Sequence, residues 1–132
     1  MKRACDVEVR PAQQSIASRY AGKTVVAIGA HPDDLEIGIG GTLAKMQREG
    51  AHVVMCVASI PKDYEVRREE AKRGAEILGC ELKVLIKHGP KRLEDVKNFE
   101  LVGMLDDLVR EYNPAAMLAG KDWQDAGQRL AA

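Results

Sequence analysis

Aromatic side chains are scarce in this sequence: one Trp, one Phe and three Tyr among 132 residues. A surface that stacks nucleic-acid bases needs several exposed rings, so that class of partner is not expected. An excess of one charge is also missing. Lys+Arg and Asp+Glu stand at 20 each, which leaves no global field to draw in nucleic acid or an acidic lipid surface. No run approaches the roughly 18 consecutive apolar residues of a membrane helix. Lys2 and Arg3 are not followed by an apolar stretch, so no secretory leader is expected and the default location is cytoplasmic. Cysteine is limited to Cys5, Cys56 and Cys80, an odd count without C-x-x-C spacing. That pattern favours structural thiols in a reducing compartment.

What is present is a regular alternation. The chain is long enough for one domain, residues 1–132, with an ordinary apolar content of 45%. Residues 1–22 are mixed and polar, with a short helix expected near Ala12 to Tyr20. Thr24 to Ala30 is a continuous apolar run, as in a strand buried on both faces. Leu35, Ile39, Leu43 and Met46 then recur at helical spacing up to Gly50. His52 to Ala58 reads as a second strand, Val66 to Leu78 as a charged helix stopped by Gly79, and Leu82 to Ile86 as a third strand nearer an edge. Val96, Phe99, Val102, Leu105, Val109 and Tyr112 mark one face of a third helix, which Asn113-Pro114 ends. Ala115 to Ala119 is a fourth strand. Strands alternating with helices of this length predict a Rossmann-like α/β layer, its mainly parallel sheet flanked by helices on both faces. The last segment, from Gly120, carries the single Trp and ends in Gln128 to Ala132, which reads as the opening turn of another helix.

Ligands of open α/β sheets bind beyond the carboxyl ends of the strands. His31-Pro32-Asp33-Asp34 falls at that position after the first strand. An imidazole and two carboxylates within four residues offer N and O donors to one zinc-sized ion, and Pro32 stiffens the chain between them. The blander reading makes Asp33 or Asp34 a helix cap and His31 a loop residue. The combination at a strand's carboxyl end favours metal or catalytic use. The glycines of Gly38-Ile39-Gly40-Gly41 do not form a phosphate loop, because they fall inside the helix and not directly after the strand. Close helix–sheet packing is the expected role.

Ala30-His31-Pro32-Asp33-Asp34-Leu35-Glu36 resembles the hallmark of the PIG-L/LmbE-like deacetylases. Gly40-Gly41-Thr42-Leu43-Ala44 and Arg67-x-x-Glu70-Ala71, with Gly79 eight residues on, are also similar to that family. The resemblance spans about residues 23–119. It implies zinc-dependent removal of acetyl from N-acetylglucosamine-type sugars. On that footing His31 and Asp34 are metal ligands and Asp33 is the catalytic base that takes a proton from the attacking water. Glu36 supports the site from behind the ligands, and Arg67 contacts substrate hydroxyl or phosphate groups. Arg67 has an equally simple alternative, an exposed salt bridge to Glu70.

The family's second motif, His-x-Asp-His, corresponds here to Trp123-Gln124-Asp125-Ala126. Asp125 survives as a supporting residue, while Trp123 and Ala126 stand where the family has an assisting histidine and a third ligand. His52 is expected at the far end of the second strand. His88 follows the third strand, but nothing in the family pattern puts it on the metal. Zinc is therefore expected to bind weakly, and the family's carboxyl-terminal part is expected to be missing. Three readings follow: a deacetylase of N-acetyl sugars, active or with weakened catalysis; a truncated, non-catalytic relative that keeps the fold and a partial metal site; or an oligomerising or ligand-binding module. A homo-oligomer is expected, because an uncovered sheet edge invites pairing.

Overall fold

The computed structural model describes residues 15, 17–87 and 92–119. Seven main elements alternate along the chain: β1 (Thr24–Gly29), α1 (Asp34–Arg48), β2 (His52–Val57), α2 (Tyr64–Leu78), β3 (Glu81–Val84), α3 (Asn98–Tyr112) and β4 (Ala116–Ala119). The strands form one sheet in the order β3-β2-β1-β4. All three strand pairs are parallel, β1 with β2, β1 with β4 and β2 with β3. The expected architecture is therefore present, with β3 and β4 at the two edges.

Burial on both faces explains why β1 and β2 are continuous apolar runs. Val25, Ala27, Val53 and Met55 face a core completed by Leu35, Leu43 and Met46 of α1 and Ala75 of α2. Val26, Ile28, Val54 and Cys56 point the other way, against Leu108 of α3 with Leu105 and Tyr112 beside it. Two helices thus cover one face and the third covers the other.

Three local expectations are corrected. The sequence places Phe99, Val102 and Val109 on the buried face of α3, yet they point outward, Phe99 being 71% exposed. Leu105 and Tyr112 do face inward as expected, and Leu101 and Leu108 complete that side. Both stripes satisfy a 3.6-residue period, so periodicity alone does not choose between them. Among the α1 glycines only Gly40 is in a close seat, and its neighbour is Leu78 of α2; Gly38 and Gly41 face open space. The packing role is thus helix on helix at one glycine. Finally, β3 begins one residue earlier than expected, although its ladder hydrogen bonds run on, with Leu85 N–H to Val57 O at 2.9 Å and Ile86 N–H to Ala58 O at 3.0 Å.

Of the expected N-terminal helix, the described residues show a 3-10 turn at Ser18–Tyr20. Its earlier part, Cys5, His88, Trp123, Asp125, Ala126 and the closing helical turn lie outside the described residues. Among the described residues no helix is long and apolar enough to cross a membrane.

Candidate functional site

The sheet order reverses next to β1, with β2 and β3 laid on one side and β4 on the other. That switch point is where open α/β sheets present ligands, and the His31-Pro32-Asp33-Asp34 loop rises from it. The β1 and β2 extensions stay paired past the strand ends: Ala58 N–H donates to Gly29 O and Ser59 N–H to Ala30 O, both at 2.9 Å. Helix α1 then starts very close to the strand. A Cβ on Gly29 would lie 3.1 Å from Leu35 Cγ and 3.3 Å from Asp34 Cβ, so glycine lets the turn close.

Within the turn, His31 N–H donates to Asp34 Oδ2 at 2.9 Å. Asp33 adopts a left-handed backbone at φ +78°, a conformation that few residues other than glycine accept. Pro32 is buried beneath it. The stiff turn leaves the Asp33 carboxylate on the surface, where Arg67 Nη2 of α2 approaches its Oδ2 at 3.5 Å. The other guanidinium nitrogen, Nη1, lies 3.4 Å from Glu70 Oε2, so the expected salt bridge to Glu70 is present beside the contact with Asp33.

His31, Pro32 and Arg67 line a cleft of about 520 Å³ with Ile60, Pro61, Lys62 and Arg92. This volume is within the range of small-ligand sites, about 300–1,000 Å³. Ile60, Pro61, Lys62 and Arg92 were not singled out from the sequence. Position just after the β2 end was the available signal for the first three. Arg92 follows β3 by several residues and carries no local signal at all.

The remaining candidates lie elsewhere. Glu36 sits in the α1–α2 seam, where its Oε1 would be 3.2 Å from a Cβ placed on Gly74. Its carboxylate, after burial, helps push the nearby Cys80 thiol up to about 11. His52 is at the opposite end of β2, as expected. Its Nε2 lies 2.8 Å from Glu81 Oε2, while the Tyr112 hydroxyl donates to Glu81 Oε1 at 2.9 Å. Burial, then the Glu81 bond, holds the Tyr112 phenol above its usual range.

The turn offers two donors of the right chemistry for zinc, the His31 imidazole and the Asp34 carboxylate. Asp34 commits one oxygen to His31 N–H and leaves the other without a hydrogen bond among the described residues. Among those residues, no group of three His, Cys, Asp or Glu is placed to hold a metal. The carboxyl end of β4 lies beside this loop, because Ala119 pairs with Ile28.

These features define a class, the Rossmann-like α/β proteins with a parallel sheet and a polar loop after the first strand. Within it, the chain belongs to the PIG-L family, described as GlcNAc-PI de-N-acetylase, whose model matches residues 26–129. It is 32% identical over 104 residues to an uncharacterized deacetylase, YaiS, of Escherichia coli, covering 76% of this chain and 56% of that protein. A diacetylchitobiose deacetylase of Thermococcus kodakarensis is also 32% identical, over 113 residues, covering 76% of this chain and 42% of the relative. The chain thus spans about half the length of the curated relatives it matches. Among solved structures, an N,N'-diacetylchitobiose deacetylase of Pyrococcus horikoshii superposes with TM-score 0.62 at 24% identity, covering 80% of this chain and 43% of that one. A 4-carboxy-2-hydroxymuconate hydratase of Pseudomonas putida reaches the same TM-score at 20% identity, covering 72% and 45%. The architecture therefore does not define the reaction; the site has to.

Proposed function

We propose that this chain carries the first part of a metal-dependent N-deacetylase site for N-acetylglucosamine-type substrates, with low turnover of its own. The observation that carries this reading is Asp33, held in a left-handed turn after Pro32 at the sheet's switch point and met there by Arg67. Strained backbone at a polar turn is a mark of functional geometry. His31 and Asp34 would hold the cation, which when bound would supply Lewis acidity toward an acetamide carbonyl. Asp33 accepts the proton of the attacking water at a carboxylate oxygen. Arg67 keeps that carboxylate in place and offers its remaining donors to substrate hydroxyls. Asp125 supports the site from beyond β4.

Low turnover follows from Trp123 and Ala126, since a catalytic zinc takes three protein ligands and this turn supplies two. The expected result with zinc and N-acetylglucosamine derivatives is slow acetate release, abolished by Asp33→Asn. The paired change Trp123→His and Ala126→His should tighten zinc by about tenfold or more in calorimetry. Acetate release that survives Asp33→Asn would sink the assignment of the base. Rapid release by the unmodified chain would sink the low-turnover reading alone.

We also infer self-association through the outer face of α3 and the β4 edge. Supporting it are the exposed Phe99, Val102 and Val109 and the edge residue Met117. A cytoplasmic location, consistent with the free thiols of Cys56 and Cys80, completes the reading.

A further inference from the structure

Among the described residues the cleft is lined by three cations and no acidic residue: Lys62 from the loop after β2, Arg67 from the first turn of α2, and Arg92 from the segment after β3. Arg67 already faces two carboxylates, Asp33 and Glu70. The Lys62 and Arg92 side chains have no ion pair or hydrogen bond among the described residues. Unpaired cations repel one another across a shared cleft, and nothing in the core requires either one. They arrive from separate segments of the fold, so proximity in sequence does not explain their meeting. The amino-terminal end of the fifteen-residue α2 adds its positive dipole end on the same side.

We propose that the cleft selects an acylamino sugar bearing a phosphate monoester, with Lys62 and Arg92 as the residues that read the phosphate. The sugar part rests on the deacetylase reading; the anion part rests on the charge arrangement alone. A planar carboxylate is satisfied by one bidentate arginine, whereas donors converging from separate segments suit a tetrahedral dianion. Pro32, Ile60 and Pro61 supply the apolar wall against which a sugar ring can lie, and His31 marks the end nearest the reacting acetamide.

The test compares inorganic phosphate, N-acetylglucosamine and N-acetylglucosamine 1-phosphate by NMR titration and calorimetry. The phosphorylated sugar should bind about tenfold tighter than the neutral one, as charge-assisted hydrogen bonds are made by it alone. Inorganic phosphate should bind more weakly than the sugar phosphate and shift the Ile60, Lys62 and Arg92 amides. The double variant Lys62→Ser, Arg92→Ser should erase the tenfold preference and leave neutral-sugar binding unchanged. Arg48→Ser, at the far end of α1, should keep the preference. In the unmodified chain, raising salt should weaken only the phosphorylated ligands, a readout that does not depend on any variant folding. Equal binding of the two sugars, or a preference that persists in the double variant, would overturn the proposal. Inorganic phosphate binding as tightly as the sugar phosphate would overturn the sugar assignment. Phosphate binding without acetate release under any metal would instead count against the deacetylase reading and leave the anion site standing.

Discussion

Asp34 has two tasks in one carboxylate, and they separate by substitution. One oxygen accepts the His31 N–H at 2.9 Å and so holds the turn; the other is the proposed metal donor. Asp34→Asn keeps a carbonyl oxygen for the turn but removes the charge. It should move the urea midpoint little while weakening zinc by about tenfold or more. Asp34→Ala removes both and should also lower stability by about 1–2 kcal/mol, the scale of a hydrogen bond to a charged group discounted for partial exposure. Zinc affinity unchanged in both variants would make Asp34 a turn residue only. Cys56, inside the sheet, gives a second test at this scale. Burial, only partly offset by the positive charge of Lys83, pushes its thiol from 9.0 to about 12. The folded state therefore keeps a proton that the unfolded state loses above pH 9. The associated stability is fully present below that pH and declines as pH rises toward 12. The melting temperature should fall across pH 9–11, and Cys56→Ala, less stable at neutral pH, should show a shallower fall. Parallel slopes for the two proteins would rule out this cause.

At the scale of elements, two glycines that look alike in sequence behave oppositely. Gly41 lies in α1 facing open space, so Gly41→Ala should stabilise by about 0.5–1 kcal/mol through helix propensity. Gly79 ends α2 at φ +76°, and a Cβ there would come 2.7 Å from the Gln47 side chain. The flexible Gln47 amide can swing away, but the left-handed backbone cannot, so Gly79→Ala should cost about 1–2 kcal/mol. Urea denaturation of both variants checks the pair; equal shifts would contradict the geometry. Gly79 was readable as a stop because it follows a helical run. The β1 and β2 runs were readable because burial on both faces leaves no polar alternation to confuse. The His31 to Asp34 turn was readable because its donors are adjacent in sequence. The inner face of α3 was only half readable: Leu105 and Tyr112 were on the expected stripe, but Leu101 and Leu108 compete with Phe99, Val102 and Val109 at the same period. Lys62 and Arg92 were invisible for a different reason: only the parallel crossovers bring the ends of β2 and β3 to the same cleft as His31. Local chemistry shows in sequence, whereas chemistry assembled by topology shows only after folding.

At the scale of the whole molecule, the unevenness of its surface is what bears on assembly. The β3 side carries a compact polar lattice, with Lys83 Nζ 2.9 Å from Glu111 Oε2 and Glu81 bridging His52 and Tyr112. The β4 side is different: its strand has only four residues, half-buried and exposed in alternation, and Met117 is 42% exposed. Phe99, Val102 and Val109 present the outer stripe of α3, with the Lys97 ammonium over the Phe99 ring at 5.9 Å. An edge strand and an apolar stripe of this kind are surfaces that proteins normally pair or hide. The expected state is therefore a homo-oligomer, most simply a two-fold dimer burying about 1,200 Å² or more in total. Light scattering should give a multiple of the 14.5 kDa chain mass. The paired change Phe99→Glu and Val102→Glu should return it to the monomer without loss of helicity, because neither side chain belongs to the core. Anion binding in the cleft, which depends on Lys62 and Arg92 at the opposite side of β1 from β4, should survive that change. A clean 14.5 kDa mass for the unmodified chain at high concentration would defeat the assembly prediction and leave the cleft's chemistry untouched.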